Sequence, residues 1–322
     1  MVVGNFFTER IDITDKENLL EHDLGYLKNL RTDSQDNLYA IDTHLNQVVS
    51  FDSSGKFRFQ FIETGQGPGE MIKPFHMQIY DDTLWISDLN QQKICLFNTE
   101  GEYLSEIKIQ NGSTFSFAKE NDHIYSSSKV IDKILIIQSL KSNTEKFALS
   151  NDILKQGRDL YETRELLFGF IPNLNKLVLF QSLLGTITVV DPLGFNIILQ
   201  YDILNNGLVG FGKGYLDKRQ KIKVMGKDGP VKPYNTYFSE TFINDQELWA
   251  ALFIQEKDLC LLGIKLNIKD QIVITPIVCN YKFSYTPSIA PFNQSNSIFI
   301  YNEKYNHLEK WLTKTEQIDN FL

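Results

Sequence analysis

The sequence is poor in the residues that most often declare a chemistry. Its three cysteines, Cys95, Cys260 and Cys279, are scattered and show no CxxC spacing, which points to neither a zinc site nor a redox pair. Cys95 and Cys260 sit inside the apolar runs Ile94-Cys95-Leu96-Phe97 and Leu259-Cys260-Leu261-Leu262, the setting of small buried strand residues. No stretch approaches the ~18 apolar residues of a membrane span. Positive charge is in deficit, with 32 Lys+Arg against 40 Asp+Glu and a formal net charge of -8. That excludes a generic polyanion binder, whose affinity comes from Lys and Arg displacing counterions. With 9 Pro, 19 Gly and 42% hydrophobic residues in 322, the chain is neither disordered nor collagen-like, and it is long enough to bury a sizeable core. The start, Met1–Phe7, lacks a basic n-region and an apolar h-region, so the sequence reads as soluble and unexported. A protein whose leader had been removed would read the same, which keeps a periplasmic or cell-surface address open.

What is present is a repeat. Asp36-Asn37-Leu38-Tyr39-Ala40-Ile41-Asp42 is followed by Gln47–Asp52, Gly55 and Phe57–Ile62. The pattern returns as Asp82-Thr83-Leu84-Trp85-Ile86-Ser87-Asp88, Lys93–Asn98, Gly101 and Tyr103–Ile107. Leu38 to Leu84 is 46 positions, within the period of a propeller blade. Weaker copies centre on Ile124-Tyr125, Leu177–Phe180, Leu248-Trp249 and Ile298–Tyr301, so that six fill the chain. Inside each copy the runs are short, β-branched and aromatic, and bounded by Gly, Asn, Asp or Ser, as hairpin-linked strands are. Asp52-Ser53-Ser54-Gly55 and Asn98-Thr99-Glu100-Gly101 read as tight turns, the Asx side chain bonding its own backbone and Gly supplying positive φ. Asp15–His22 and Asp152–Arg164 are the best helix candidates.

Four strands in each of six copies predict an all-β fold: a six-bladed β-propeller of four-stranded antiparallel blades, filling residues 1–322 as one domain. The last copy offers three strands, Ser288–Phe292, Ile298–Tyr301 and Leu308–Leu312. Its fourth is Gln317–Leu322 or the N-terminal Phe6–Ile13, and closure by the N-terminal strand is the expectation.

The linker Gly65-Gln66-Gly67-Pro68-Gly69-Glu70, with the repeat around it over residues 37–108, resembles the bacterial six-bladed β-propeller family that is related to NHL repeats and common in Bacteroidetes. The resemblance implies the fold, and its members resemble secreted or lipid-anchored surface proteins of mostly unassigned function. Fold alone carries no chemistry. The linker glycines present N–H groups to an anion in principle, but neither this loop nor Gly210-Phe211-Gly212-Lys213-Gly214 has the Gly-Lys-Ser/Thr ending of a phosphate loop. A tight inter-blade crossing is the preferred reading.

In a propeller the innermost strand of each blade borders the central channel. Aligning the copies places Lys28, His76, Ser116, Gly169, Ser239 and Ser288 at equivalent inner positions, with Arg31, Phe168, Tyr237 and Glu240 as neighbours within two residues. The set lacks the ligands for a catalytic zinc or a calcium, since the remaining histidines, His22, His44, His123 and His307, fall in the leader, turns or outer strands. No metal and no cofactor are expected. A metal-free site remains, with His76 as base, Lys28 or Arg31 facing developing negative charge, and Ser116, Ser239 or Tyr237 positioning substrate. The plainer alternative makes His76 a polar residue of the channel wall.

The connection between blades 4 and 5, about residues 205–234, carries seven basic residues (Lys213 and Arg219 among them) against Asp217 and Asp228, a net +5 in a chain of -8. Long loops inside compact domains are often lids or binding segments. The leading expectation is therefore a monomeric binding scaffold that takes a small molecule or protein at the channel mouth, where Arg31, Ser116, Ser239, Glu240 and Ser288 would contact it beside the basic loop. The alternative is an enzyme built on His76, Lys28 and Tyr237. Nucleic acid is not an expected partner, because basic residues are not interleaved with exposed aromatics.

Overall fold

The computed structural model describes residues 7–14, 24–129, 133–150, 166–171, 174–181, 186–202, 238–244, 247–256, 259–268, 272–279, 288–291, 297–302 and 307–313. The helix candidates Asp15–His22 and Asp152–Arg164 lie outside them. The described residues form 24 strands in six four-stranded sheets.

After β1 (Phe7–Thr14), blade 1 contains β2 (Leu27–Thr32), β3 (Leu38–Asp42), β4 (Gln47–Phe51) and β5 (Phe57–Phe61). Blade 2 contains β6 (Pro74–Tyr80), β7 (Thr83–Asp88), β8 (Lys93–Phe97) and β9 (Tyr103–Lys108). Blade 3 is β10 (Gly112–Glu120), β11 (His123–Ser128), β12 (Lys133–Ser139) and β13 (Glu145–Ser150), and blade 4 is β14 (Leu166–Ile171), β15 (Lys176–Gln181), β16 (Thr186–Val190) and β17 (Ile197–Asp202). Blade 5 follows with β18 (Phe238–Asn244), β19 (Glu247–Glu256), β20 (Leu259–Ile268) and β21 (Ile272–Cys279), then β22 (Ser288–Pro291), β23 (Ser297–Asn302) and β24 (His307–Thr313). Each strand pairs antiparallel with the next in its blade, and β1 supplies the outer strand of blade 6 by pairing with β24, Arg10 opposite Trp311. The ring is closed by the N-terminal strand, as expected.

The core lies between blades, and the period-2 alternation of strand side chains explains why. On β3, Leu38 and Ala40 face blade 6 and join Phe299, Tyr301 and Leu308. The intervening Tyr39 and Ile41 face blade 2 and join Met77, Leu84 and Ile86. On β7, Leu84 and Ile86 face back to blade 1 while Trp85 faces blade 3 with Phe117 and Ile124. Both faces of a blade are thus apolar, which is why the second strands read as continuous hydrophobic runs.

The repeated aspartate that ends the second strand has a defined task. Asp42 Oδ2 accepts the Gly25 N–H at 2.7 Å, and its Oδ1 accepts His44 and Leu45 N–H. Asp88 repeats this with Ile72 N–H at 2.6 Å on Oδ2 and Asn90 and Gln91 N–H on Oδ1. Each carboxylate therefore ties the chain entering its blade to the turn leaving the second strand. Burial alone would raise the Asp88 carboxyl pKa, but the N–H groups and the Gln91 amide outweigh it and hold the pKa below the usual value. The expected turns are also present, with Gly55 at φ +88° and Gly101 at φ +81°. Asp52 and Asn98 cap the flanking N–H groups.

Two outcomes follow for stability. Deleting residues 1–13 opens the ring and lowers the melting temperature by roughly 10 °C or more, several kcal/mol at a few degrees each; an unchanged value refutes closure by β1. Asp88→Ala strands several buried donors and costs about 2–4 kcal/mol in urea unfolding, whereas Asp82→Ala, at an exposed turn, costs less than ~1 kcal/mol.

Candidate functional site

The first strands of the blades, β2, β6, β10, β14, β18 and β22, pack side by side around the axis. Most begin with an irregularity: the ladder shifts between Lys28 and Arg31, Pro74 and His76, Gly112 and Phe117, and Phe238 and Glu240. A bulge frees a backbone N–H from the ladder and re-aims the neighbouring side chain. His76 N–H is one such group, and it donates to Ser87 Oγ at 3.1 Å.

The freed groups form a belt from blade to blade. Ser288 Oγ of blade 6 accepts the Asn29 N–H at 3.3 Å, and Asn29 Oδ1 accepts the Met77 N–H of blade 2 at 3.0 Å. The His76 ring bonds the Phe117 backbone of blade 3, and Ser116 Oγ accepts the Phe168 N–H of blade 4 at 3.1 Å. His76, Ser116 and Ser288 hold equivalent places in the ring.

In blade 1 that place belongs to Asn29, at φ +56° in the bulge, while the Lys28 side chain is exposed to solvent. Lys28 is therefore not the inward residue; the extra residue of the bulge moves the pattern by one. In blade 4 the place falls on Leu167, opposite Phe180, instead of Gly169. In blade 5 it falls on Glu240, opposite Ala251 as His76 is opposite Ser87, and Ser239 occupies the bulge. Tyr237, Lys213 and Arg219 lie outside the described residues.

Around His76 the structure assembles a buried cluster that the spacing did not reveal in full. Arg31 is 4%, His76 1% and Gln78 3% exposed. Arg31 donates from Nε to Gln78 Oε1 at 3.3 Å, from Nη1 to Leu30 O at 2.6 Å and from Nη2 to Asn29 Oδ1 at 3.1 Å. With its oxygen facing Arg31, the Gln78 amide presents N–H to His76 Nε2 at 3.2 Å. The ring proton accordingly sits on Nδ1. Phe117 meets the imidazole edge-on at 5.1 Å. Burial first, and then the Arg31 charge, push the His76 pKa well below the ordinary histidine value, against the Phe117 backbone bond that favours the protonated ring. Gln78 was legible as the residue two positions along the same strand face; Asn29 was hidden by the bulge.

The glycine linker binds an anion, and the anion is its own. Gly67 N–H donates to Glu70 Oε2 at 2.7 Å, and a Cβ on Gly65 would overlap that same oxygen. Gln91 Nε2 donates to Gly65 O at 2.8 Å, which fastens the loop to blade 2. The segment is the tight crossing between blades.

Residues 14–170 match the family model DUF5128, a 6-bladed beta-propeller. The chain is a six-bladed β-propeller. Solved structures agree on the fold. A DUF4221 family member from Bacteroides vulgatus superposes with TM-score 0.58 at 11% identity, covering 96% of this chain and 97% of that one. A putative exported protein from Bacteroides fragilis gives 0.56 at 14% identity, with 95% of each chain covered. A catalytically inactive virginiamycin B lyase from Staphylococcus aureus, solved with quinupristin, gives 0.53 at 12%, covering 95% and 99%. No curated protein matches the sequence. Among the described residues of the propeller, no three His, Cys, Asp or Glu side chains are grouped to hold a metal ion, and no helix is long and apolar enough to cross a membrane.

The buried neutral imidazole has a pH signature. Unfolding releases His76 to its ordinary pKa near 6.5. The depressed folded value then makes stability complete above that pH and costs up to about 1.4 kcal/mol per pH unit as the pH falls below it. The difference in unfolding free energy between wild type and His76→Gln should shrink with that slope from pH 7 to pH 5. A difference independent of pH refutes the buried neutral assignment.

Proposed function

We propose that the protein is a binding scaffold, one six-bladed unit that receives a small-molecule or protein partner at the mouth of its channel beside the basic 205–234 segment. The observation that supports this most is the use the chain makes of its inner polar residues. Asn29, His76, Ser116 and Ser288 spend their hydrogen-bonding groups on the next blade. A general base needs a free lone pair directed at substrate, whereas the His76 Nε2 lone pair faces the Gln78 amide. The inner wall is rigid and polar, which suits recognition over proton transfer, so the enzyme built on His76, Lys28 and Tyr237 is the less favoured reading.

Charge nominates the partner's character. A net +5 on 205–234, in a protein of net charge -8, gives this connection the opposite sign to the molecule as a whole and favours an acidic partner. The triple substitution Lys218→Glu, Arg219→Glu, Lys221→Glu tests it with a poly-glutamate peptide as probe. Wild type binds with an affinity that falls as salt rises, and the variant loses roughly tenfold or more, about 1.4 kcal/mol. Equal affinities, or wild-type affinity indifferent to salt, overturn the role of the segment.

A further inference from the structure

Away from the channel belt, at the far end of the inner strands, a cleft of about 490 Å³ opens between blades 3 and 4. That volume is in the range of small-ligand sites. One wall is a single face of the blade 3 sheet. Glu120 on β10 is opposite His123 on β11, while Tyr125 on β11 is opposite Ile137 on β12, which is opposite Lys146 on β13. Alternation places all five on one side. The other wall is the turn of blade 4 that carries Leu193 and Phe195.

Three features of this cleft bear on what it could hold. Leu193 is 80% exposed at its rim. Phe195 is held at φ +54°, a backbone region that bulky side chains avoid and that tends to persist where function requires it. Its ring packs partly against the core and lies 4.7 Å beneath the Lys146 ammonium. Among the described residues, neither the Glu120 carboxylate nor the Lys146 ammonium has an ion-pair partner. Of the other charges nearby, Asp122 pairs with Lys141 and Lys119 lies over the Tyr80 and Trp85 rings. Burial raises the Glu120 pKa, with the Lys119 charge opposing it and Asp81 adding to it. Tyr125, 6% exposed and stacked on Phe170 at 5.9 Å, forms the floor.

Two opposite charges, neither in an ion pair, flank a cleft whose polar lining includes Asn121, His123 and Asn175 and whose apolar part is Tyr125, Ile137, Leu193 and Phe195. Glu120 and Lys146 stand on the innermost and outermost strands of blade 3, three strand spacings across and two residues along, or about 16 Å apart at the backbone. A ligand of two or three extended residues spans about 7–10 Å of that distance, the rest falling to the two side chains. A ligand of matching charge satisfies both groups where a neutral one would not. We propose that this cleft binds a short zwitterionic peptide, its ammonium on Glu120, its carboxylate on Lys146 and its apolar side chains on Leu193 and Phe195.

Titration calorimetry with the dipeptide leucyl-phenylalanine tests this, alongside its N-acetylated and C-amidated forms and maltose. The free dipeptide binds the wild-type protein. Acetylation and Glu120→Gln each weaken binding about tenfold, and combining them adds little more; amidation and Lys146→Met behave as the second such pair. Both variants keep the wild-type melting temperature. No binding of the free dipeptide at millimolar concentration overturns the proposal. So does equal binding of the blocked forms, or maltose binding that is stronger than the dipeptide's. The dipeptide and poly-glutamate experiments use different probes and different variants, so each proposal fails on its own experiment.

Discussion

Blades 1, 2 and 3 are apolar on both faces, and only a closed ring gives every such face a partner. From that constraint the rest follows. Tyr39 and Ile41 need blade 2, Leu38 and Ala40 need blade 6, and so blade 1 cannot be stable without neighbours on each side. The same holds around the ring until the first strand of the chain pairs with the last. Burial of each Leu, Ile or Phe contributes about 1.5–3 kcal/mol, but that gain is collective. Losing the closing strand exposes an edge and loosens the two blades that meet there.

Closure also explains where the polar groups went. Six inner strands converge on an axis, and their first residues are crowded enough that the backbone leaves regular pairing in several blades. Each bulge would leave a buried N–H without a partner, at about 1–3 kcal/mol. The belt of Asn29, His76, Ser116 and Ser288 meets that demand blade by blade. The buried Arg31–Gln78–His76 cluster follows from the same logic. A glutamine that accepts from guanidinium and donates to imidazole keeps the histidine neutral beside a fixed positive charge. The residues that the sequence offers as a catalytic constellation also fasten neighbouring blades.

The outer architecture was legible in the sequence because each feature there depends on one residue type at one place. Asp42 and Asp88, 46 positions apart, each close the same clasp, and Gly55 and Gly101 each take the same positive φ. Blade 3 has Ser128 where the clasp aspartate would stand, which is one reason its copy reads more weakly. The inner positions were legible only to within a residue or two. Bulges insert residues without any compositional mark, so Lys28 stood in for Asn29 and Ser239 for Glu240. The glycine linker was ambiguous for a different reason. Backbone N–H groups suit any anion, and only the structure shows that Glu70, three residues on, already occupies them.

The cleft between blades 3 and 4 could not have been found this way at all. Glu120, Lys146 and Phe195 are separated by 26 and then 49 positions, and no motif joins them. They meet because four strands of one blade align a face and the next blade's turn folds over it. That face is where the propeller is least repetitive. In blades 1 and 2 the outer turns are built alike on Asp52 and Asn98 with a following glycine. Blade 4 instead spends Asp191-Pro192-Leu193-Gly194-Phe195 on a turn whose left-handed phenylalanine and exposed leucine cost stability. The exposed Leu193 and the Glu120 carboxylate, which has no ion-pair partner among the described residues, are the argument for a ligand there.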